Sequence, residues 1–415
     1  MIKKIFIAAC LLFSLVSLAQ QGTSSPYSYY GIGDIRYRGM LENRSMGGVA
    51  VEQDSIHVNV DNAASYASLK YTTLTMGGTY GTKTLKDDAN NATAKRTTLD
   101  YMVVAIPIGK LGVGFGLIPY SSVGYKIQSI SEDGSKNNKQ LEGKGGVNKV
   151  FFGAGYKVTK NFSLGADLQY NFGKIETDNL EYITNVPVGT REINVAYLSG
   201  VNFNLGAMYQ AKIAPKLNVY SSLNYTFKGN LTSENTRIIS TVDYEGNLNV
   251  DPEGFDEVST TNKLELPSKL TLGLGFGESR KWMVGAEVAM RAAGNLANNY
   301  NNVTGVTFER YSRYSLGGYY IPNYNSFTSY AKRIVYRGGF RFEKTGLMVQ
   351  NQSIDDKSVT LGFGLPALGS FSNFNIGLEY GVKGTTAAGL IQEDYFNASV
   401  SFSLNDKWFV KRKFY

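Results

Sequence analysis

Long stretches in which every second residue is apolar dominate this sequence. From Phe162 to Gly173, the apolar set Phe162, Leu164, Ala166, Leu168, Tyr170 and Phe172 alternates with small or polar residues. The same rule holds over 374–383 and 396–404. A period of two predicts β-strands with one apolar face. These stretches are ten to twelve residues long, whereas an ordinary sheet strand has about six residues. Their length suits a tilted strand that crosses a bilayer.

Three of these stretches carry glycine at their non-apolar positions. They read LGVGFGLIP (Leu111–Pro119), LTLGLGFGE (Leu270–Glu278) and VTLGFGLPAL (Val359–Leu368). Glycine weakens an isolated strand, whereas a closed barrel pairs the backbone without bulky inward side chains. We therefore expect Gly112, Gly114 and Gly116 to face the inside of a barrel, where they leave volume for something else.

The alternation predicts fourteen strands, an even number as expected of single-chain bacterial barrels. Their predicted spans are 70–84, 94–108, 111–126, 147–157, 161–174, 195–211, 217–231, 264–277, 282–292, 308–320, 332–346, 357–365, 372–384 and 393–404. Short turns such as 109–110 and 159–160 alternate with longer polar loops at 127–146, 175–194 and 232–263. The predicted fold is therefore all-β, a transmembrane antiparallel β-barrel over 70–404, with its short turns and both chain ends in the periplasm.

The N-terminal residues predict export. Residues 1–19 combine Lys3 and Lys4, an apolar stretch and a small-x-small ending, which is the pattern of a secretory signal peptide. Cleavage there leaves a chain without cysteine, whose formal charge falls from +8 to +6 with the loss of the two lysines. The expected location is the outer membrane of a Gram-negative bacterium. The expected partners of this basic chain are outer-membrane lipid, lipopolysaccharide or an envelope protein. Nucleic acid is not expected as a partner.

Residues 20–69 precede the first predicted strand and show no alternation. They are rich in turn-forming residues yet contain Tyr27, Ile32, Met46, Val49 and Val51, which a disordered tail would not need. We interpret this segment as a plug inside the barrel. Residues 405–415 form a basic, aromatic tail on the periplasmic side, where the Lys-Arg-Lys run at 411–413 suits a partner or anionic headgroups equally.

Catalysis has little support in the sequence. The one histidine, His57, lies in the plug segment, and a chain without mature cysteine offers no cluster for zinc. Nothing matches a nucleotide-binding loop or a nucleophile elbow. We expect a protein that is not an enzyme and that has no catalytic residues, no metal and no cofactor.

The segment Asn43–Leu69 resembles the N-terminal hatch of the FadL-type outer-membrane transporters (the OMPP1/FadL/TodX family). That hatch has an Arg-Ala/Met-Gly-Gly-Ala run, an acidic residue and an Asn-Pro-Ala sequence before the first strand. The matching residues here are Arg44, Met46, Gly47, Gly48, Ala50, Asp54, Asn62 and Ala64. Ala63 replaces the proline of the family. Residues 25–34 and 404–415 are similar to family members from the Bacteroidota.

The resemblance implies a fourteen-stranded barrel with a plug that transports small hydrophobic molecules, fatty-acid-like or aromatic. In such barrels the ligand leaves sideways through the wall, which we would place beside Gly112, Gly114 and Gly116 or near Asn62. Hatch residues Arg44, Met46, Gly47, Gly48 and Asp54 would then lie along the path. The glycines equally suit tight turns, and inward polar residues such as Asp167 and Glu379 equally suit a hydrated interior.

A second function stays open. Some FadL-like barrels of the Bacteroidota resemble non-transporting accessory or shuttle subunits of outer-membrane machines for type IX secretion or barrel assembly. Transport predicts an apolar pocket at the outer end of the barrel. An accessory role predicts an apolar or charged patch on a rim.

Overall fold

The computed structural model describes residues 22–35, 38–88, 90–131, 137–243, 249–250, 256–294, 305–367 and 371–408. The predicted signal peptide and residues 409–415 of the predicted tail lie outside these residues.

The described residues form one closed antiparallel β-barrel of fourteen strands, which confirms the predicted fold. The strands are β1 Thr72–Lys86, β2 Asn91–Ile108, β3 Leu111–Ser129, β4 Asn137–Lys157, β5 Phe162–Ile183, β6 Val188–Ala214, β7 Leu217–Thr226 and Gly229–Asp243, β8 Asp256–Leu266 and Lys269–Glu278, β9 Trp282–Arg291, β10 Tyr311–Tyr320, β11 Val335–Val349, β12 Gln352–Pro366, β13 Asn373–Lys383 and β14 Gln392–Asp406. Each strand pairs with the next. β14 pairs with β1 from Gln392↔Lys86 to Asp406↔Thr72, which closes the barrel.

Shorter elements complete the chain. Two-residue and three-residue strands lie at Asp34–Ile35, Asn249–Val250 and Val306–Phe308, and α1 spans Leu41–Arg44. 3-10 helices span Pro26–Tyr29, Ala63–Ser68, Ala331–Arg333 and Ala387–Gly389. Among the described residues, no helix has the length and apolar character needed to cross a bilayer.

The alternation in the sequence becomes an apolar outer surface and a polar interior. On β5, Leu164 and Leu168 are 45% and 55% exposed, while Asp167 and Gln169, which are on the opposite face of the strand, are 3% and 6% exposed. Apolar residues such as Leu274 on β8 also point outward. This pattern is what a barrel in lipid requires, because lipid solvates the apolar face and the strand pairing satisfies the backbone.

The strands extend farther from the membrane than the alternation predicts. The predicted loop 175–194 is mostly strand, since β5 continues to Ile183 and β6 begins at Val188. Cross-strand ion pairs such as Arg191–Asp178 link these extensions. Above the bilayer both faces of a strand meet water, so its outward residues need not be apolar and the sequence signal fades.

The segment 22–69, called the hatch below, lies inside the barrel. Val49, Ala64 and Tyr66 in it are fully buried. Its residues lie against inward-facing positions of strands all around the wall, from Gly155 on β4 and Gly206 on β6 to Gly275 on β8, Gly317 on β10, Gly339 on β11 and Gly377 on β13. The hatch therefore fills the volume that the glycines leave.

The neighbouring wall strands β2 and β3 are paired over only part of their length. β2 and β3 pair only from Ile108↔Leu111 to Met102↔Leu117. Beyond that point β2 still pairs with β1, and β3 still pairs with β4, but β2 and β3 no longer pair with each other. This seam opens in the half of the barrel away from the short turns.

Candidate functional site

The inward glycines of β3 make room for Tyr66 of the hatch. A Cβ built at Gly112 would overlap the Tyr66 carbonyl group and lie 2.9 Å from Tyr66 Cβ, and one at Gly114 would lie 2.8 Å from Tyr66 Cε2. A Cβ at Gly116 would overlap the Met102 carbonyl oxygen on β2 instead. Gly112 and Gly114 therefore face the hatch, and Gly116 lies next to the last residues that β2 and β3 pair.

Asn62 connects the hatch to two wall strands. Its Nδ2 donates to the Ala207 carbonyl at 3.2 Å on β6 and to the Leu223 carbonyl at 3.0 Å on β7. Its Oδ1 accepts from Ala64 N at 3.1 Å, which caps the 3-10 helix 63–68. The turn that proline makes in the family is thus held here by an asparagine cap, with Ala63 as the first helical residue.

The Met46-Gly47-Gly48 run packs against the opposite wall. Gly47 has φ +68° and donates its backbone N–H to Thr360 Oγ1 at 3.0 Å. A side chain at this residue would meet the Phe340 carbonyl oxygen at 2.5 Å, so glycine is required both by the backbone conformation and by the close approach. Met46 lies in an apolar cluster with Val49, Val51, Tyr220 and Met283.

Arg44 connects the hatch to the edge of the seam. Its Nη2 lies 2.9 Å from Asp100 Oδ2 and 3.1 Å from Thr79 Oγ1. The β1–β2 register shifts between Gly77 and Gly78, and Asp100 is the extra residue of this β-bulge. The ion pair therefore holds β2 just where it separates from β3.

A buried network of charges crosses the interior on the outer side of the hatch. Arg38 of the hatch lies 2.6 Å from Asp356 on β12, and Arg341 on β11 lies 2.8 Å from Glu379 on β13. Tyr395 on β14 donates to Asp356 at 2.6 Å. Asp356 and Arg341 are 0% exposed. Such pairs persist only when each charge has partners, and losing one partner is costly.

Further polar contacts tie the hatch to the rest of the wall. Asp34 pairs with Lys383 on β13 at 2.7 Å, and Asn375 on the same strand donates to Glu42 Oε1 at 2.9 Å. Glu287 on β9 accepts from the backbone N–H of Ala50 at 3.2 Å. With Arg44 and Asn62, these contacts fix the hatch on several sides.

Most of this network is not evident from the sequence. Glu379 is expected there to face inward, but Arg38, Arg341 and Asp356 are not. The available signal was the presence of opposite charges at inward positions of neighbouring strands, where an unpaired charge would be expensive.

The cavities on the outer side of the hatch are small. A cavity of about 120 Å³ is lined by side-chain amides such as Gln169 and Asn171 together with apolar side chains such as Ile118 and Phe151. One of about 40 Å³ lies among the charged residues. A third, of about 70 Å³, is lined in part by Tyr27, Tyr30 and Ile32. A benzene-sized ligand occupies an apolar cavity of about 150 Å³.

The other side of the hatch faces the short turns across a vestibule of about 490 Å³. Asp54 and His57 lie on its hatch side, with Oδ2 and Nδ1 2.5 Å apart. Burial alone would lower the pKa of His57, but the Asp54 carboxylate outweighs it and raises that pKa. Burial, with the nearby Asp54 carboxylate, raises the pKa of Glu52 to about 7.

The seam is covered from the inside by the first part of the hatch. Ile35 and Asp34 pair with Ser121 and Ser122 on the free edge of β3. Gly124 N donates to Ser28 Oγ at 3.1 Å farther along the same edge. The hatch thus supplies part of the pairing that β2 does not.

Within the described ranges, no group of three or more His, Cys, Asp or Glu side chains is arranged to hold a metal ion.

Comparison with known proteins gives one family and a set of similar folds. A family model described as BamG matches residues 1–415. No curated protein matches the chain.

The solved structures that are similar include two toluene transporters and a FadL homologue. The Pseudomonas putida toluene transporter TodX has a TM-score of 0.60 at 16% identity, covering 91% of this chain and 100% of its own. The Ralstonia pickettii toluene transporter TbuX has a TM-score of 0.58 at 14% identity, covering 89% and 99%. A Pseudomonas aeruginosa FadL homologue has a TM-score of 0.58 at 13% identity, covering 90% and 98%. These similarities show that the fold is the FadL-type barrel.

Proposed function

Since the chain belongs to the BamG family, we propose that it is an outer-membrane barrel that serves as a non-transporting accessory subunit of an envelope protein machine. Of the two machine classes considered from the sequence, type IX secretion and barrel assembly, the family name favours barrel assembly. The protein would then act by protein contact, without catalysis.

The buried charge network carries this proposal. An apolar solute moving inward from the outer end would meet Arg38, Asp356, Arg341 and Glu379, whose ion pairs of 2.6 and 2.8 Å close the interior beside the hatch. Opening a path means separating buried charges, each separation costing about 3–5 kcal/mol. The cavities described on this side, of about 40, 70 and 120 Å³, are also smaller than the cavity of about 150 Å³ that holds a benzene-sized ligand.

The test is native mass spectrometry on the protein gently extracted from outer membranes. An accessory subunit should carry a second protein at fixed stoichiometry. A lone barrel that carries a small apolar molecule would contradict the proposal.

A second function, transport of hydrophobic molecules with lateral exit, is favoured by the seam between β2 and β3. The seam begins directly beyond Met102↔Leu117, next to Gly116. Only the hatch pairs with the β3 edge there among the described residues. Transport would require hatch residues 28–35 to leave this edge.

A disulfide can test this second function. Ile35 and Ser121 are Cα partners in an antiparallel pair, a separation of about 4.5–5.5 Å that a disulfide can span. Oxidised Ile35→Cys/Ser121→Cys should lose uptake of labelled fatty acid and toluene if the hatch must move. The pair Thr236→Cys/Ser259→Cys, within the wall, is the matched control. Equal uptake by both oxidised variants would exclude exit past the hatch.

A further inference from the structure

The vestibule at the short-turn end spans the mouth of the barrel. Hatch residues 52–57 form its inner end. Lys157 and Lys160 lie at the end of β4, whereas Arg333 and Arg337 lie at the start of β11. β4 and β11 are seven strands apart in a ring of fourteen, so these residues face each other across the opening.

The side chains around this vestibule are strongly basic. Seven basic residues line it against two acidic ones, Glu52 and Asp54. The basic residues are Lys70, Lys157, Lys160, Lys212, Arg280, Arg333 and Arg337. Among the described residues none of these seven forms an ion pair, although the charged residues on the other side of the hatch are mostly paired.

The loop 321–334 positions part of this charge. The Arg280 guanidinium lies 5.2 Å from the centre of the Tyr324 ring, and that of Arg333 lies 5.3 Å from the centre of the Tyr330 ring. Such stacking orients a guanidinium while leaving its donors available. Phe327, in the same loop as the vestibule residues Tyr324 and Arg333, is 100% exposed.

We propose that this vestibule is a docking site for an acidic segment of a periplasmic protein partner. The inference deepens the proposed function and rests on it. A concave opening of one sign of charge concentrates ligands of the opposite sign. Carboxylates match both the lysines of the rim and the planar donors of Arg280 and Arg333. Phe327 provides an apolar contact at the edge.

A protein segment suits the position of the site better than a lipid headgroup. The vestibule ends on the hatch, so it lies along the axis of the barrel. Membrane lipid surrounds the outer wall, where the apolar side chains point, and its headgroups lie at that circumference. A segment that enters from the periplasm reaches the axis directly.

Binding of fluorescein-labelled octaglutamate to the full mature protein in non-ionic detergent tests the site. We expect Lys157→Glu/Lys160→Glu/Lys212→Glu to weaken binding by about tenfold or more at low salt, a factor that corresponds to about 1.4 kcal/mol. The matched control is Lys95→Glu/Lys126→Glu/Lys263→Glu, which makes the same charge change at the other end of the barrel. Unchanged heat-dependent migration in gels shows that both variants fold.

Equal weakening by both triple variants, or by neither, would overturn the docking site. Dihexanoyl phosphatidylglycerol is the lipid probe. If it binds to the wild type and loses affinity in the vestibule triple, while octaglutamate does not bind, the occupant is a headgroup and the inference fails.

Co-purification separates this inference from the proposed function. If the wild type retains a stoichiometric partner and the vestibule triple loses it, the docking site is supported. If both retain the partner, the accessory role stands and the docking site is wrong. If the wild type carries no partner while octaglutamate still distinguishes the variants, the accessory role fails and the acidic-peptide site remains.

Discussion

Adding one methyl group at Gly112 should displace the hatch. The new Cβ of Gly112→Ala would overlap the Tyr66 carbonyl and lie 2.9 Å from Tyr66 Cβ, where ordinary contact begins at 3.4 Å. The overlapped atoms are backbone, so the 3-10 helix 63–68 must move as a unit, and its Asn62 cap with it. Overpacking of this kind costs about 1–3 kcal/mol, and backbone overlap belongs at the upper end.

Gly338→Ala is the matched control. This glycine also lies within a paired strand, β11, but its added Cβ would find its nearest neighbour at 3.8 Å. Alanine there should be neutral, or more stable by about 0.5–1 kcal/mol because it restricts the unfolded chain.

Urea unfolding in detergent micelles, followed by circular dichroism, measures the difference. Gly112→Ala should unfold at lower urea than the wild type, and trypsin should cleave faster at Lys70, directly after the hatch. Gly338→Ala should do neither. If Gly112→Ala matches the wild type in both measurements, Tyr66 does not lie against β3 and the assigned role of the glycine strands is wrong.

Three further changes test other parts of the structure. Arg38→Met leaves the buried Asp356 without its closest cation and should lower the free energy of unfolding by about 3–5 kcal/mol. The double variant with Asp356→Asn should recover much of this loss. If the losses of the two single variants instead add up in the double variant, the pairing is contradicted. Burial and Asp54 raise the pKa of Glu52 from 4.5 to about 7, so the folded state binds the proton more tightly and the free energy of unfolding should fall as pH rises between those values. Glu52→Gln should reduce this fall when unfolding is measured at pH 5 and pH 8. An unchanged difference between the two pH values would contradict the shift. Phe327 is fully exposed, so Phe327→Ala should leave the unfolding midpoint unchanged but reduce the amount of protein partner that co-purifies. A lower midpoint would show that the ring packs within the protein.

The barrel could be predicted because its cause is local. Each strand must present an apolar face to lipid, so both the period of two and the number of strands can be recognised directly in the sequence. The predicted strands 308–320 and 332–346 correspond to β10 and β11, although the turn between them is longer than the other short turns.

The interior could not be predicted in the same way. Arg38 and Asp356 are 318 residues apart in sequence, and only the closed barrel brings them together. The seam depends on where β2 and β3 stop pairing, which follows from the bulge at Asp100 and the hatch that occupies the edge. The sequence predicts that Gly112 and Gly114 leave free volume inside the barrel, but it does not predict that Tyr66 fills it.

The contacts of the hatch also set an order of events during folding. Ser25, near the start of the described chain, bonds to Glu393 on β14, 368 residues later. Contacts between such distant residues form slowly, since a long chain must first close. The hatch, at the N-terminal end of the described chain, therefore reaches its final contacts only after the last strand has formed. Chaperone binding should consequently be longest at the hatch, and a chain truncated before β14 should leave the hatch sensitive to protease.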